Sequence, residues 1–388
     1  MNKATFAFIR EHADDDVRQL ALQGAKTSEV DMPFALDQIA GRQTARRKLP
    51  SWAAIDDMLY PPHLSMEQCS SELAARYKQQ IVSRRMPVGQ LVDLTGGFGV
   101  DFSFMAQGAA KAVYVERQEH LCVMAKSNFQ LLGLQQAEVV CGDAAEYLQQ
   151  MEPVDLIYID PARRDGHGGR TYAISDCTPD VLALRPLLLA KAQQVLVKLS
   201  PMLDWRKAVA DIGEQYVREV HIVSVHNECK ELLLLLGQGE GLRLVCANDG
   251  TVFEVDGEYG GDGLNGFDGE GFLYEPNASI MKAGCFAEVS RRFGVRQIAP
   301  NSHLFVSADD VAGFPGRTFH IDGVTSLNKR ELKERLRGIS QANIAVRNFP
   351  DSVAGLRKRL KLSEGGSTYI FATTLASGEK VLLVCSKV

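Results

Sequence analysis

The sequence predicts an α/β protein: a doubly wound, mostly parallel sheet with a helical region before it and small α+β modules after it. Three observations carry this expectation. From Val88 onward, apolar strand-length runs alternate with amphipathic helical ones, the pattern of successive βαβ units. The turn Gly96-Gly97-Phe98-Gly99 follows the first such run and opens a helical stretch, where glycine lets the backbone turn tightly and approach a ligand. Acids then recur where the following strands should end, at Glu116, Asp143 and Asp160.

The elements follow in order. Residues 1–85 read as helical. Asp14-Asp15-Asp16 precedes Val17, Leu20 and Ala21 at helical spacing, a helix-start signal. Ser65 and Gln68 stand at the spacing of a capping box, which predicts a helix from Gln68 to Arg85. Strands are expected at Leu91–Leu94, Ala112–Val115, Ala137–Val140, Leu156–Ile159 and Gln194–Val197, with a helix over Glu119–Leu132 and another near Asp204–Glu214. Two closely spaced strands, Glu219–Val225 and Glu231–Leu236, end the series. The Gly- and Asp-rich stretch 255–271 reads as a loop or hairpin tip; its spacing is not that of an EF-hand. A small α+β segment spans 274–315. From Gly316 the order is strand, helix (Leu327–Gly338), strand, helix (Ser352–Leu360) and two strands. The division is thus 1–85, 86–273, 274–315 and 316–388.

Composition excludes several classes. At 388 residues the chain is long enough for two or three domains. No apolar run approaches the roughly 20 residues of a membrane helix, the longest being Leu232–Leu236. The N-terminus has no signal-peptide pattern, so the expected location is cytoplasmic. The eight cysteines form no CxxC pair, which argues against a zinc cluster and for reduced core thiols; no metal is expected. Residues 316–388 carry thirteen Lys/Arg against six Asp/Glu, although the whole chain is at −5. This is either a solvated face or a polyanion-binding module.

The glycine-rich segment Val92–Asp101 alone is weak, because several nucleotide-binding folds share such a turn. Three later acids strengthen it. Glu116, seventeen residues after Gly99, can accept hydrogen bonds from both hydroxyls of a ribose. Asp143, in Gly142-Asp143-Ala144, can accept from an adenine amino group. Asp160, opening Asp160-Pro161-Ala162-Arg163-Arg164, falls where substrate meets cofactor. All lie at carboxyl ends of parallel strands, where such sheets bind ligands.

On these residues the block Leu91–Ser200 resembles a class I S-adenosylmethionine (SAM)-dependent methyltransferase, whose seven-stranded Rossmann-like sheet ends in a hairpin like the one expected here. The resemblance implies SAM as cofactor. It places Asp93, Gly97 and Gly99 in the cofactor loop, Glu116 at the ribose, and Asp143 with Ala144 at the adenine; Thr95, Asp101 and Arg117 are further cofactor-binding candidates. Asp160 touches both cofactor and acceptor. By its position, the helix before strand one, with Gln68 and Ser70, is expected to close over the cofactor's methionine end. Asp160 and Pro161, with Arg163, are the catalytic candidates. They match the start of the D-P-P-[YF] motif of amino-group methyltransferases, but Ala162-Arg163 replaces proline and the aromatic, which argues against a base amine as acceptor; Tyr172 is a candidate for the missing ring. Uracil-C5 methyltransferases share a D-P-P-R motif and need a cysteine after strand five. Lys198-Leu199-Ser200-Pro201 stands there instead, and Cys177 is the nearest thiol. Arg164, Arg170, Tyr172 and Lys198 are the candidate substrate contacts near the site.

Leu64–Glu72, Asp160–Arg164, Tyr274-Glu275-Pro276-Asn277 and Val346-Arg347-Asn348-Phe349-Pro350 resemble a bacterial group that joins a helical N-terminus, a class I methyltransferase, a ferredoxin-like domain and a C-terminal THUMP-like domain. That resemblance implies an RNA substrate (rRNA or tRNA). Arg357, Lys358 and Arg359 are the residues of the basic module expected to meet RNA phosphates, although cations also favour a helix C-terminus for dipole reasons. The alternatives are a methyltransferase acting on protein or a small molecule, and a non-catalytic SAM- or RNA-binding protein.

Overall fold

A computed structural model describes residues 2–24, 29–85, 89–163, 174–257 and 266–388. They form two compact units, Met1–Val220 with Lys230–Leu242 and His221–Cys229 with Arg243–Val388. Among the described residues no helix is long and apolar enough to cross a membrane.

Strands β1 (Gln90–Asp93), β2 (Lys111–Glu116), β3 (Ala137–Cys141), β4 (Val154–Ile159), β5 (Ala192–Leu199), β6 (Val217–Val225) and β7 (Glu228–Gly237) stand in the order β6-β7-β5-β4-β1-β2-β3, all in the first unit except His221–Val225 of β6 and Glu228–Cys229 of β7. β1 lies parallel between β2 and β4, with Asp93 level with Tyr114 on one side and Tyr158 on the other. β7 runs antiparallel to β5. The seven strands expected of the Rossmann-like sheet are therefore present, within a sheet of nine. The chain winds outward from β1 to β3 and back the other way through β4 and β5. This reversal opens a crevice beyond the carboxyl ends of β1 and β4.

Short polar side chains start the helices. Asp16, Asp143, Asp180 and Asp204 cap α2 (Val17–Gln23), α9 (Ala144–Gln150), α10 (Val181–Lys191) and α11 (Trp205–Ile212), each accepting backbone N–H bonds of the first turn. The N-terminal helices α1 (Lys3–Glu11), α3 (Met32–Lys48) and α4 (Pro50–Ala53) lead to a core in which Trp52, Tyr60, Met66 and Phe98 cluster. Trp52 meets the Phe98 ring edge-on at 5.0 Å. Phe98 belongs to the glycine-rich turn, so the helical region packs directly on that turn.

Two local expectations are corrected. Gln68 does not begin a helix: it ends α5 (His63–Gln68), and α6 starts at Glu72 and runs to Arg85. Between them Cys69 is extended and Ser70 is buried, its hydroxyl hydrogen-bonded to buried acids rather than to a helix terminus. Cys141, read as a core thiol, is exposed, because β3 is an edge strand.

The second unit contains a hairpin of β8 (Arg243–Asn248) and β9 (Thr251–Asp256). It also holds a seven-stranded sheet built from β10 (Phe272–Pro276), β11 (Arg296–Gln297), β12 (Phe305–Ser307), β13 (Gly316–Thr325), β14 (Asn343–Arg347), β15 (Thr368–Thr374) and β16 (Lys380–Lys387), in the order β11-β12-β10-β13-β16-β15-β14. α12 (Ala278–Ala283), α13 (Phe286–Phe293), α14 (Lys329–Arg335) and α15 (Val353–Leu360) complete it. Glu275, on β10 and 3% exposed, is gripped by Arg317 of β13 and by Arg347 of β14, the latter at 2.6 Å. The Glu275 and Arg347 motifs noted in the sequence thus meet in one ion cluster.

The first unit buries a second cluster. Lys78 of α6 is fully inaccessible to solvent. Its ammonium pairs with Glu231 of β7 and lies 3.1 Å from Asp101 Oδ1, on α7 (Val100–Met105), and 3.3 Å from Ser70 Oγ. The Ser70 hydroxyl stands 2.8 Å from Asp101 and 3.0 Å from Glu231, so it serves one of them at a time. Tyr158 donates to Asp101 Oδ2 at 2.8 Å. Burial works against the Asp101 carboxylate, yet Lys78, then Lys198, and the Tyr158 and Ser70 hydroxyls hold its pKa below the usual range. Lys78→Ala leaves two buried carboxylates without their cation, which costs about 3–5 kcal/mol. Urea denaturation should show a lowered midpoint at unchanged slope; an unaltered midpoint would show that the cluster does not hold the fold.

Candidate active site

The turn after β1 is shaped by what surrounds its glycines. A Cβ on Gly96 would lie 2.1 Å from the Tyr114 ring, and Gly97 and Gly99 have φ of +53° and +85°, which side chains rarely adopt. The Tyr114 hydroxyl donates to the Gly97 carbonyl. The Gly97 N–H donates to Glu116 Oε2 at 3.0 Å and the Gln118 N–H to Oε1 at 2.8 Å. The end of β2 is thereby fastened to the turn, and both Glu116 oxygens keep a further lone pair.

Asp93, 1% exposed, accepts from the Thr95 N–H at 2.9 Å. Thr95 Oγ1 in turn accepts from the Asp160 N–H at 2.6 Å. Asp160 is ion-paired through Oδ2 with Lys198 of β5. These loops line one cavity of about 540 Å³, of the size that takes a nucleoside-bearing ligand. Gln68, Asp101, Arg117, Asp143 and Ala144 line it as well. Asp143 Oδ1 is engaged as the cap of α9, at 2.8 Å from the Ala145 N–H, so that carboxylate caps a helix and faces the cavity at once.

Burial pushes the Asp93 carboxyl well above the usual carboxylate range, and Asp101, Asp160 and Glu116 push it further. Burial also raises Asp160, against the pull of Lys198. Lys198 is held protonated: burial opposes its charge, but Asp160, Glu231 and Asp101 outweigh that and raise its pKa.

Family comparisons agree with this architecture. Residues 272–315 match a ferredoxin-like domain and residues 316–387 a THUMP-domain-like one. A crystal structure from Porphyromonas gingivalis W83, provisionally assigned as a methyltransferase, is 33% identical, with a TM-score of 0.85 over 99% of this chain and 97% of that one. The chain belongs to this methyltransferase family. An rRNA methylase from Streptococcus thermophilus is 14% identical over 42% of this chain and 96% of its own, with a TM-score of 0.33. A Streptococcus mutans protein solved with S-adenosylhomocysteine is 14% identical over 42% and 95%, with a TM-score of 0.30; at such scores neither likeness carries weight. No curated protein matches the sequence.

Within this family member the remaining candidates fall in different places. Pro161 is buried in the bend after β4. Arg163 lies in a two-residue strand paired with Cys177–Thr178, with its side chain outside the described residues. Arg164, Arg170 and Tyr172 lie outside them entirely. Arg357, Lys358 and Arg359 form the last turn of α15 in the THUMP-like domain. Arg357 is drawn to Glu364 at 3.8 Å, whereas Lys358 and Arg359 are exposed. Ser70, expected beside Gln68, lines the cavity; sequence reasoning missed Tyr158, which lines it too, and Lys78 and Glu231 behind them. It also missed Thr178-Pro179-Asp180, a helix start on the cavity wall. That triplet has a legible signal, an Asp before an apolar helical run; the buried cluster has none.

The raised carboxyl of Asp93 has a consequence for stability. Between the unfolded carboxyl's pKa and the higher folded value, the native state binds more protons, so this residue destabilises the fold as pH rises through that window. Asp93→Asn keeps an acceptor for Thr95 and removes the penalty. Its melting temperature should therefore gain on the native protein's as pH goes from 4 to 7; a constant difference would contradict the assignment.

Proposed function

We propose that the chain binds S-adenosylmethionine in this cavity and methylates RNA. The observation that carries the reading is the convergence of the glycine turn, Glu116 and Asp143 on one cavity, at the carboxyl ends of β1, β2 and β3 in sequence order. The residues fit that cofactor. At Gly97 the nearest atom to an added Cβ is 3.8 Å away, so backbone lies open to a ligand. Glu116 offers two oxygens for the ribose hydroxyls, and Asp143 with Ala144 borders the adenine. Gln68 and Asp101 would border the methionine end, with Arg117 beside the ribose. When bound, the sulfonium supplies an electrophilic methyl carbon. The protein's part is to align an acceptor with it and to receive the acceptor's proton, for which Asp160 is the group at hand.

RNA as acceptor is supported by the THUMP-like match and by the basic face of that domain. Lys358, Arg359, Lys329, Arg330 and Lys333 are exposed there, a charge pattern suited to phosphates. The cytoplasmic location is part of the same proposal.

Two measurements test this reading. Glu116→Ala removes two hydrogen bonds to a charged acceptor, each about 1.5–3 kcal/mol. Calorimetry should find SAM affinity lowered by roughly 100-fold or more; unchanged affinity would refute the cofactor assignment. Replacing Lys358 and Arg359 by alanine should reduce the salt slope of RNA binding by roughly 0.7 to 0.9 per lost phosphate contact, with SAM affinity unaffected. A slope equal to that of the native protein would mean that this face does not bind RNA.

A further inference from the structure

The acceptor end of the cavity has a polarity opposite to the one that amine-methylating sites use. Those sites hold an amino group with oxygens that accept its hydrogens. Here the Asp160 carboxylate is bound by the Lys198 ammonium, whose side chain is 14% exposed and lines the same cavity. An ammonium has three donors and no acceptor. Among the described residues its hydrogen-bond partner is Asp160, so the pair offers further N–H donors to whatever enters. Asp160 Oδ2 carries that bond, which leaves Oδ1 for a proton. The residue is about a third exposed (35%) and lines the cavity.

We infer that the acceptor is the lactam nitrogen of a keto nucleobase, guanine N1 or uracil N3, with its neighbouring carbonyl oxygen held by Lys198 and its ring proton taken by Asp160. The inference rests on the reading of this cavity as an RNA-methylating, SAM-dependent site. The ring N–H proton passes to the Asp160 carboxylate. The electron pair left behind spreads onto the carbonyl oxygen, where the Lys198 charge offsets it. The ring nitrogen then bonds to the methyl carbon of the sulfonium donor as the sulfur–carbon bond breaks, and the donor leaves as a neutral thioether. Burial prepares Asp160 to hold a proton, and its carboxylate neighbours keep Lys198 charged. Adenine and cytosine do not suit the pair. Adenine has no carbonyl, so its amino donor would face the Lys198 donor, and an unmatched buried donor is costly; cytosine has a carbonyl beside its ring nitrogen, but that nitrogen carries no proton for Asp160 to take. Transfer to uracil carbon 5 lacks its nucleophile, because Ser200 and Pro201 stand after β5.

The test uses the full-length protein, tritium-labelled SAM and total RNA from a strain lacking it, with digestion to nucleosides and mass spectrometry. Label is expected in 1-methylguanosine or 3-methyluridine, whose masses tell the two bases apart. Label in an exocyclic amine, a ribose or a ring carbon would overturn the inference and leave the RNA reading standing. If SAM binds but no label enters RNA, the RNA reading fails and the inference with it. As a second arm, Lys198→Met should slow transfer about 100-fold, the size of effect of removing one charge-stabilising donor, while calorimetric SAM affinity stays within about threefold. Equal losses in rate and SAM affinity, or an unchanged rate, would show that Lys198 does not hold the acceptor.

Discussion

An ammonium sealed from water is stable only when carboxylates surround it, and Lys78 is such a group. Its partners come from separate parts of the chain: Glu231 from β7, Asp101 from the first turn of α7, and Ser70 from the break between α5 and α6. Meeting that one charge fixes four elements against each other. Asp101 follows the glycine turn by two residues, so holding it also sets the direction in which the turn leaves β1. An apolar cluster would hold the same elements with less directional demand, and the turn would have more freedom to shift. The charged cluster exchanges some desolvation cost for definite placement.

From that anchor a chain of side-chain-to-backbone bonds crosses the sheet's carboxyl edge. Asp160 donates its N–H to Thr95, Thr95 donates its N–H to Asp93, and Gly97 donates its N–H to Glu116. Each loop satisfies donors of the next, so three strand ends behave as one surface. The arrangement gathers Asp93, Asp101, Asp160, Glu116 and Glu231 around two lysines. That surplus of negative charge is one reason why Asp93 and Asp160 are driven toward their neutral forms. It is also the field that a cationic sulfonium would offset, with no rearrangement of the surrounding dipoles.

Much of this was legible in the sequence because it is local. Strand and helix periods depend on neighbouring residues, and a turn, the acid after the next strand and a helix-capping Asp repeat at fixed intervals. What escaped is non-local or ambiguous. Lys78 and Glu231 lie 153 residues apart, and nothing near either marks it as buried. Ser65 and Gln68 have capping-box spacing, yet the interior claims Ser70 and the helix stops at Gln68. Cys141 has apolar neighbours but sits on an edge strand. The β8–β9 hairpin had a signal that was passed over, Asn248-Asp249-Gly250, where Asp249 and Gly250 take the positive φ values of a tight hairpin turn.

Asp160 and Lys198 show why residues read one at a time mislead. Read from the sequence, the acid is a catalytic candidate and the lysine a substrate contact, 38 positions apart. Brought together, each changes what the other can do. The lysine takes one carboxylate oxygen and so removes much of the acid's capacity to grip an amine; the acid keeps the lysine charged and in place. A pocket whose buried donors must be matched rejects a ligand lacking the acceptor far more strongly than an apolar pocket rejects a change of size. If the acceptor is RNA, as proposed, phosphate contacts in the THUMP-like domain would position it without reading its bases. Discrimination between bases would then belong to the cavity, and within it to the sign of the group that meets the base.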